Sequence, residues 1–99
     1  MTSKQRAYLK SIASTYEPIF QIGKSSVTPE LVNSILEALE KRELIKISVL
    51  KNCFDDPKEI AQTISERTHS EVVQVIGKKI VLYKESSKKE NRKIILPVR

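Results

Sequence analysis

Tryptophan is absent from this 99-residue chain, glycine occurs only twice, and cysteine, histidine and methionine occur once each. A lone cysteine, Cys53, excludes an internal disulfide and fits a reducing compartment. One Cys and one His, His69, cannot supply the ligands of a structural zinc site, so no metal or cofactor is implied. No apolar run approaches the roughly 18 residues of a membrane span, and the opening MTSKQRAYLK lacks the apolar stretch of a signal peptide. The expectation is a soluble cytoplasmic protein without a membrane partner.

What the chain has in quantity is positive charge. The formal balance is +6, and it is uneven: residues 1–24 carry +3, residues 25–76 carry −3 and residues 77–99 carry +6. Basic ends around an acidic middle suit a polyanionic partner, although a Lys-rich segment such as Lys88 to Lys93 also serves simply to solubilise. A chain of this length suits one domain, residues 1–99, able to bury about two-thirds of its unfolded surface.

Periodicity gives the elements. Thr2 or Ser3 caps a first helix to about Thr15, with Tyr8, Leu9, Ile12, Ala13 and Tyr16 at helical spacing and Arg6 and Lys10 on its other side. A strand follows at Ile19 to Ile22, then the turn Gly23-Lys24-Ser25-Ser26, then a helix opened by Thr28 as N-cap and Pro29 in its first position. Leu31, Ile35 and Leu39 mark its inner stripe, and Glu37 and Glu40 its acidic exterior. Glu43 to Leu50 alternates as a strand. Asp55 or Asp56 before Pro57 starts a third helix, ending near Thr68. EVVQVIGKKIVLYK reads as a hairpin about Gly77-Lys78, with Ile76 opposite Lys79, Val75 opposite Ile80 and Val73 opposite Leu82. Segment 85–99 is expected to be partly a basic tail and partly an edge strand at KIILP.

The predicted fold is therefore a two-layer α/β domain of order α-β-α-β-α-β-β on a small mixed four-stranded sheet. Right-handed crossovers place the second and third helices on one face. Gln21, Lys46, Ser48, Gln74, Lys79 and Tyr83 fall on the other, open unless the first helix covers it.

The Gly23 turn is the strongest local signal. A strand-to-helix junction presents free backbone N–H groups and a lysine at one spot, the chemistry that holds a phosphate backbone. Taken alone, a Gly-Lys pair reads equally as a sharp turn with a solvated lysine. A nucleotide P-loop is excluded because its first glycine would fall at Pro18 and the intervening residues read as strand. Cys53, His69 and Asp55 or Asp56 are the only candidates for a nucleophile, base and orienting acid. They fall in separate loops, so the chain is read as a non-enzyme.

Taken in order, KQRAYLKSIA, PIFQIGKSSVT, ALEKRELIKISVLKN, VVQVIGKKIVLYKES and KIILP resemble the YhbY-type single-domain members of the CRM (chloroplast RNA splicing and ribosome maturation) family, over nearly the whole chain. The resemblance implies an RNA-binding module, related in shape to the C-terminal domain of a translation initiation factor. It also implies association with rRNA in precursors of the large ribosomal subunit, with ribosomal proteins as further partners. The family's GxxG turn, comparable to the KH-domain loop, maps to Gly23, Lys24, Ser25 and Ser26, with serine where the second glycine is expected. Serine costs more than glycine wherever φ must be positive.

The implied mechanism is non-catalytic scaffolding of rRNA. Amides of the turn and of the following helix start would hold phosphate, Lys24 would neutralise charge, and Lys46, Lys78, Lys79, Arg6 and Lys10 would extend the basic path. Tyr83 is the stacking candidate, while Tyr8, Tyr16, Phe20 and Phe54 are assigned to packing. The competing reading is a protein-binding adaptor of the assembly machinery that acts through the acidic helical face of Glu37 and Glu40.

Overall fold

Thr2 begins the first helix, α1 (Ser3–Ala13), by a reciprocal capping box: its hydroxyl accepts from the Gln5 N–H at 3.1 Å, and Gln5 Oε1 accepts from the Thr2 N–H at 3.0 Å. The helix stops two residues short of the predicted end. The hydroxyls of Ser14 and Thr15 donate back to the carbonyls of Ser11 and Ile12, a local alternative to further helix. The structure, a computed structural model, describes residues 1–98, so the last residue of the expected 85–99 tail lies outside it.

The remaining elements are β1 (Phe20–Ile22), α2 (Pro29–Arg42), β2 (Leu44–Val49), α3 (Pro57–Thr68), β3 (Glu71–Ile76) and β4 (Lys79–Tyr83), in the predicted order. Thr28 and Asp56 cap α2 and α3 through their side chains, each ahead of a proline whose missing N–H costs a first turn nothing. The sheet order is β1-β2-β4-β3, with β1 and β2 parallel and both other pairs antiparallel. β4 thus inserts between β2 and β3 and joins the two halves.

One sheet face meets α2 and α3. Ile35 and Leu39 of α2 and Ile60, Ala61 and Ile64 of α3 pack with Ile22, Ile45, Ile47, Ile80 and Leu82, all nearly inaccessible to solvent. These two layers are the predicted ones, and each fully buried aliphatic side chain contributes about 1.5–3 kcal/mol relative to exposure. On the second face α1 covers half the sheet: Leu9 and Ala13 pack on Leu44, Val73, Val81 and Tyr83, with Ile94 and Leu96 from the C-terminal segment beside them. The part near Gln21, Ser48 and Lys79 stays clear of α1.

The hairpin register holds as predicted at Ile76–Lys79 and Val75–Ile80, but Val72, not Val73, stands opposite Leu82. Val73 is the extra residue of a β-bulge. The bulge turns Val72 toward α3 and Val73 toward α1, so two adjacent valines serve two opposite cores. Arg6 faces the sheet rather than solvent, and its guanidinium donates to the carbonyls of Val72 and, at 3.4 Å, Val73.

Two further expectations are revised at the C-terminal side. Glu43 does not begin β2; it caps α2 with φ +64° and is fully buried. The segment after β4 adds no strand among the described residues. After a 3-10 turn at Lys89–Asn91 it is held by Glu43, whose carboxylate accepts from the backbone N–H groups of Ser86, Lys93 and Ile94, and by Gln5, which donates to the Pro97 carbonyl. Side-chain acceptors therefore take the place of a sheet edge.

Candidate nucleic-acid interface

Three chain reversals meet at one end of the sheet. The Ser26 N–H donates to the Gly23 carbonyl at 2.9 Å and closes the turn after β1. The Leu50 N–H donates to the Ile22 carbonyl at 2.8 Å, and the Val49 N–H to the Lys78 carbonyl at 2.7 Å, so the turn, the loop after β2 and the β3–β4 hairpin are tied together. In that hairpin Gly77 carries φ +56° and Lys78 does not take a positive φ, which is the II′ pattern that glycine serves.

Within the Gly23–Ser26 turn, the left-handed residue is the serine. Ser26 has φ +54°, whereas Gly23 avoids positive φ and is instead held close to its neighbours: a Cβ there would lie 3.4 Å from Asn52 Oδ1 and 3.8 Å from Leu50 Cδ1. Replacing Ser26 with Gly is accordingly expected to stabilise the fold by about 0.5–1 kcal/mol, read as a raised midpoint in urea denaturation. An unchanged or lowered midpoint would show that the serine hydroxyl compensates for its backbone.

Lys24, Lys51, Lys78 and Lys79 are all exposed at this end. Lys79 Nζ donates to Ser48 Oγ at 3.1 Å, and Ser48 pairs with Gln21 across the strands, giving a polar row on the part of the second face that α1 leaves open. Phe54, 92% exposed, projects from the same loop, between buried Cys53 and the Asp56 cap of α3. An aromatic beside Asp-Asp-Pro lies in a helix-start loop whose inward position Cys53 already takes. That signal in the sequence argued against a packing role for Phe54.

The start of α2 offers little to an anion. Pro29 has no N–H, the Leu31 N–H is taken by Thr28 Oγ1 at 3.1 Å, and Glu30 brings a carboxylate. Asp55 and Glu59 line the hollow between Ser26 and α3. The chemistry suited to an anion lies instead on the outer side of the turn, where Lys24, Lys51 and Lys78 stand near the amides of Lys24 and Ser25, which carry no hydrogen bond among the described residues.

Of the residues singled out in the sequence, Gly23, Lys24, Ser25, Ser26, Lys78 and Lys79 converge here. Lys46 instead faces a cleft with Lys41, Arg42 and Lys93, Arg6 is engaged by the β-bulge, and Lys10 stands exposed on α1. Tyr83 is no stacking platform: only 5% exposed, it packs beneath α1, and burial, followed by the charges of Glu43 and Glu85, raises its phenol above the ordinary tyrosine pKa. The acidic face is also reduced, because Glu40 accepts from Ser86 Oγ and from the N–H and Oγ of Ser87. Those bonds, the Ser87 hydroxyl foremost, hold its carboxyl below the usual carboxylate range. Cys53 is buried in the loop before α3 and His69 caps the C-terminus of that helix, so the length of α3, about 18 Å by its rise, stands between the candidate nucleophile and base.

Fold and site define a four-stranded α/β module in which Lys24, Lys51, Lys78 and Lys79 gather around a strand-to-helix turn at one sheet end. More particularly, the chain belongs to the CRS1/YhbY (CRM) domain family, whose model matches residues 1–84. It is 50% identical over 97 residues to a Bacillus subtilis protein named as the probable RNA-binding protein YqeI, covering 98% of this chain and 99% of that one. An RNA-binding protein of Haemophilus influenzae is 33% identical, with 98% and 95% covered. A Staphylococcus aureus protein solved in solution superposes with a TM-score of 0.79 at 50% identity, covering 98% and 99% of the two chains.

Proposed function

We propose that this protein binds RNA without catalysing a reaction, and that its target is rRNA in a precursor of the large ribosomal subunit. The observation that carries the reading is the convergence of Lys24, Lys51, Lys78 and Lys79 on a turn with free amides, an arrangement suited to sugar-phosphate rather than to a small molecule. The names of the Bacillus and Haemophilus relatives support the RNA part of it. The precursor and the cytoplasmic setting are extensions from family resemblance.

In this reading the protein works as a clamp. Lysines displace counterions from consecutive phosphates, the turn amides fix the strand's register, and Phe54 supplies a face on which an unpaired base can stack. Holding a segment single-stranded until its pairing partner has been transcribed is the service such a clamp gives to a folding RNA.

In-cell crosslinking with sequencing of the bound RNA, run alongside sucrose-gradient fractionation, tests the proposal. Crosslinks should concentrate in large-subunit rRNA, and the protein should sediment with large-subunit precursors. Sedimentation only as free protein, with no RNA enriched, would refute it.

A further inference from the structure

A second group of cations lies at the other end of β1. Lys41 and Arg42 close α2, Lys46 comes from β2, and Lys93 comes from the C-terminal segment; they surround a cleft of about 380 Å³. Among the described residues Glu17 is the only acidic one lining it, so four positive charges against one negative leave a formal +3 there. None of the four cations lies within 4.0 Å of a carboxylate among the described residues, where the single ion pair is Arg92–Glu85.

The helix dipole accounts for Lys41 and Arg42 in the last turn of α2, but not for the other two. Both of those are delivered on fixed backbone. The Lys46 carbonyl accepts from the Ile19 N–H at 2.9 Å, and the Lys93 N–H donates to the buried Glu43 carboxylate at 2.9 Å. Like charges brought together on rigid supports repel one another until an anion enters.

The rim adds a second kind of chemistry. Tyr16 and Ile19 stand 37% and 38% exposed beside the cations, presenting an aromatic face and an aliphatic one. An acidic peptide would use the charges alone, whereas a nucleotide uses the charges for phosphate and the ring for its base. β1 is an edge strand, and the four steps from Ile19 to Gly23 span about 13 Å, so the cleft and the turn are joined by a short exposed edge that carries Gln21.

We propose that this cleft is a second RNA subsite, taking a nucleotide of the same single strand whose backbone the Gly23–Ser26 turn holds, with phosphate on Lys41, Arg42, Lys46 and Lys93 and the base on Tyr16. The inference rests on the RNA-binding reading above, and the test separates the two.

Amide spectra are recorded by NMR while tetrauridylate is added to the intact chain and to its Lys24→Glu/Lys78→Glu variant. The expected result is movement of Tyr16, Lys41, Arg42 and Lys93 signals in both proteins, with turn signals moving only in the unmodified one. Movement of the turn signals alone would overturn the cleft and leave the turn standing; movement of the cleft signals alone would do the reverse. An oligoglutamate peptide that shifted the cleft signals at equal concentration would assign the cleft to acidic protein and also overturn the proposal.

With a 12-nucleotide uridylate, Lys41→Glu/Lys93→Glu should weaken binding about tenfold or more and lower the salt slope by about 1.4. Tyr16→Ala should cost about tenfold and Tyr16→Phe almost nothing, since the ring and not the hydroxyl meets the base. Equal affinity of Tyr16→Ala and the unmodified chain would remove the base from the proposal and count against it.

Discussion

Reversing charge at both Lys24 and Lys78 is expected to reduce affinity for single-stranded RNA by about a hundredfold or more at physiological salt, the largest binding effect expected of any pair of exposed residues in this protein. Each lysine is exposed and on a turn, and each turn is closed by backbone bonds that need no lysine side chain. Folding should therefore be untouched. The expected loss has two sources: the two phosphate contacts of the proposed interface would disappear, and two carboxylates would stand in their place, within a Debye length of about 8 Å of the strand. Removing two contacts should also flatten the dependence of log K on log salt by about 1.4 for a single strand. Fluorescence anisotropy with a labelled oligoribonucleotide across a salt series measures both quantities. A double variant that bound like the unmodified chain, with the same slope, would move the interface away from this sheet end. Reversal at Glu37, on the outer surface of α2, serves as the contrast, because the adaptor reading places the important charge there and the RNA reading does not.

Glu43→Ala should lower stability by about 3 kcal/mol, which for a domain of this size means a fall in Tm of about 12 °C or more. The carboxylate is fully buried and faces no cation; it is satisfied by the N–H groups of Ser86 at 2.8 Å, Lys93 at 2.9 Å and Ile94 at 3.3 Å. Hydrogen bonds to a charged acceptor are worth about twice ordinary ones, and removing the acceptor leaves several donors to find water at once. Amide exchange at those three positions should accelerate before the rest of the molecule opens, because the C-terminal segment has lost its anchor. Glu43→Gly separates the causes. It removes the same carboxylate but suits φ +64°, so it should be less damaging than alanine by about 1 kcal/mol. If the alanine variant melted within a few degrees of the unmodified chain with its tail amides still protected, Glu43 would not be the clasp. The loss also reaches the basic cleft, since the clasp fixes the backbone of Lys93.

How much of the site was legible follows from which residues act locally. Thr28 and Pro29 specify a helix start wherever they occur, and Gly77-Lys78 specifies a tight hairpin, so the turn after β1 and the basic hairpin could be placed from sequence. Their meeting at one sheet end could not. It depends on β4 inserting between β2 and β3, which brings the Lys78 carbonyl onto the Val49 N–H. Tyr83 lost its expected role for a reason of the same kind. A tyrosine at an alternating strand position is exposed or buried according to whether another element covers that face, and α1 covers it.

Arg6, Glu43 and Val73 mark the remaining limit. A charged residue near a helix end reads as solvated, yet Arg6 serves the carbonyls of a bulge 66 residues further along, and Glu43 serves amides up to 51 residues away. By itself the sequence determined the element order, the Thr28 cap, the two-residue hairpin and the family, because each rests on short-range stereochemistry or on motifs in linear order. Only the tertiary structure decided the strand order, the bulge, the half-covered second face and the partition of the lysines into two clusters. Each of those depends on which surfaces bury one another and on which distant polar groups then need a partner.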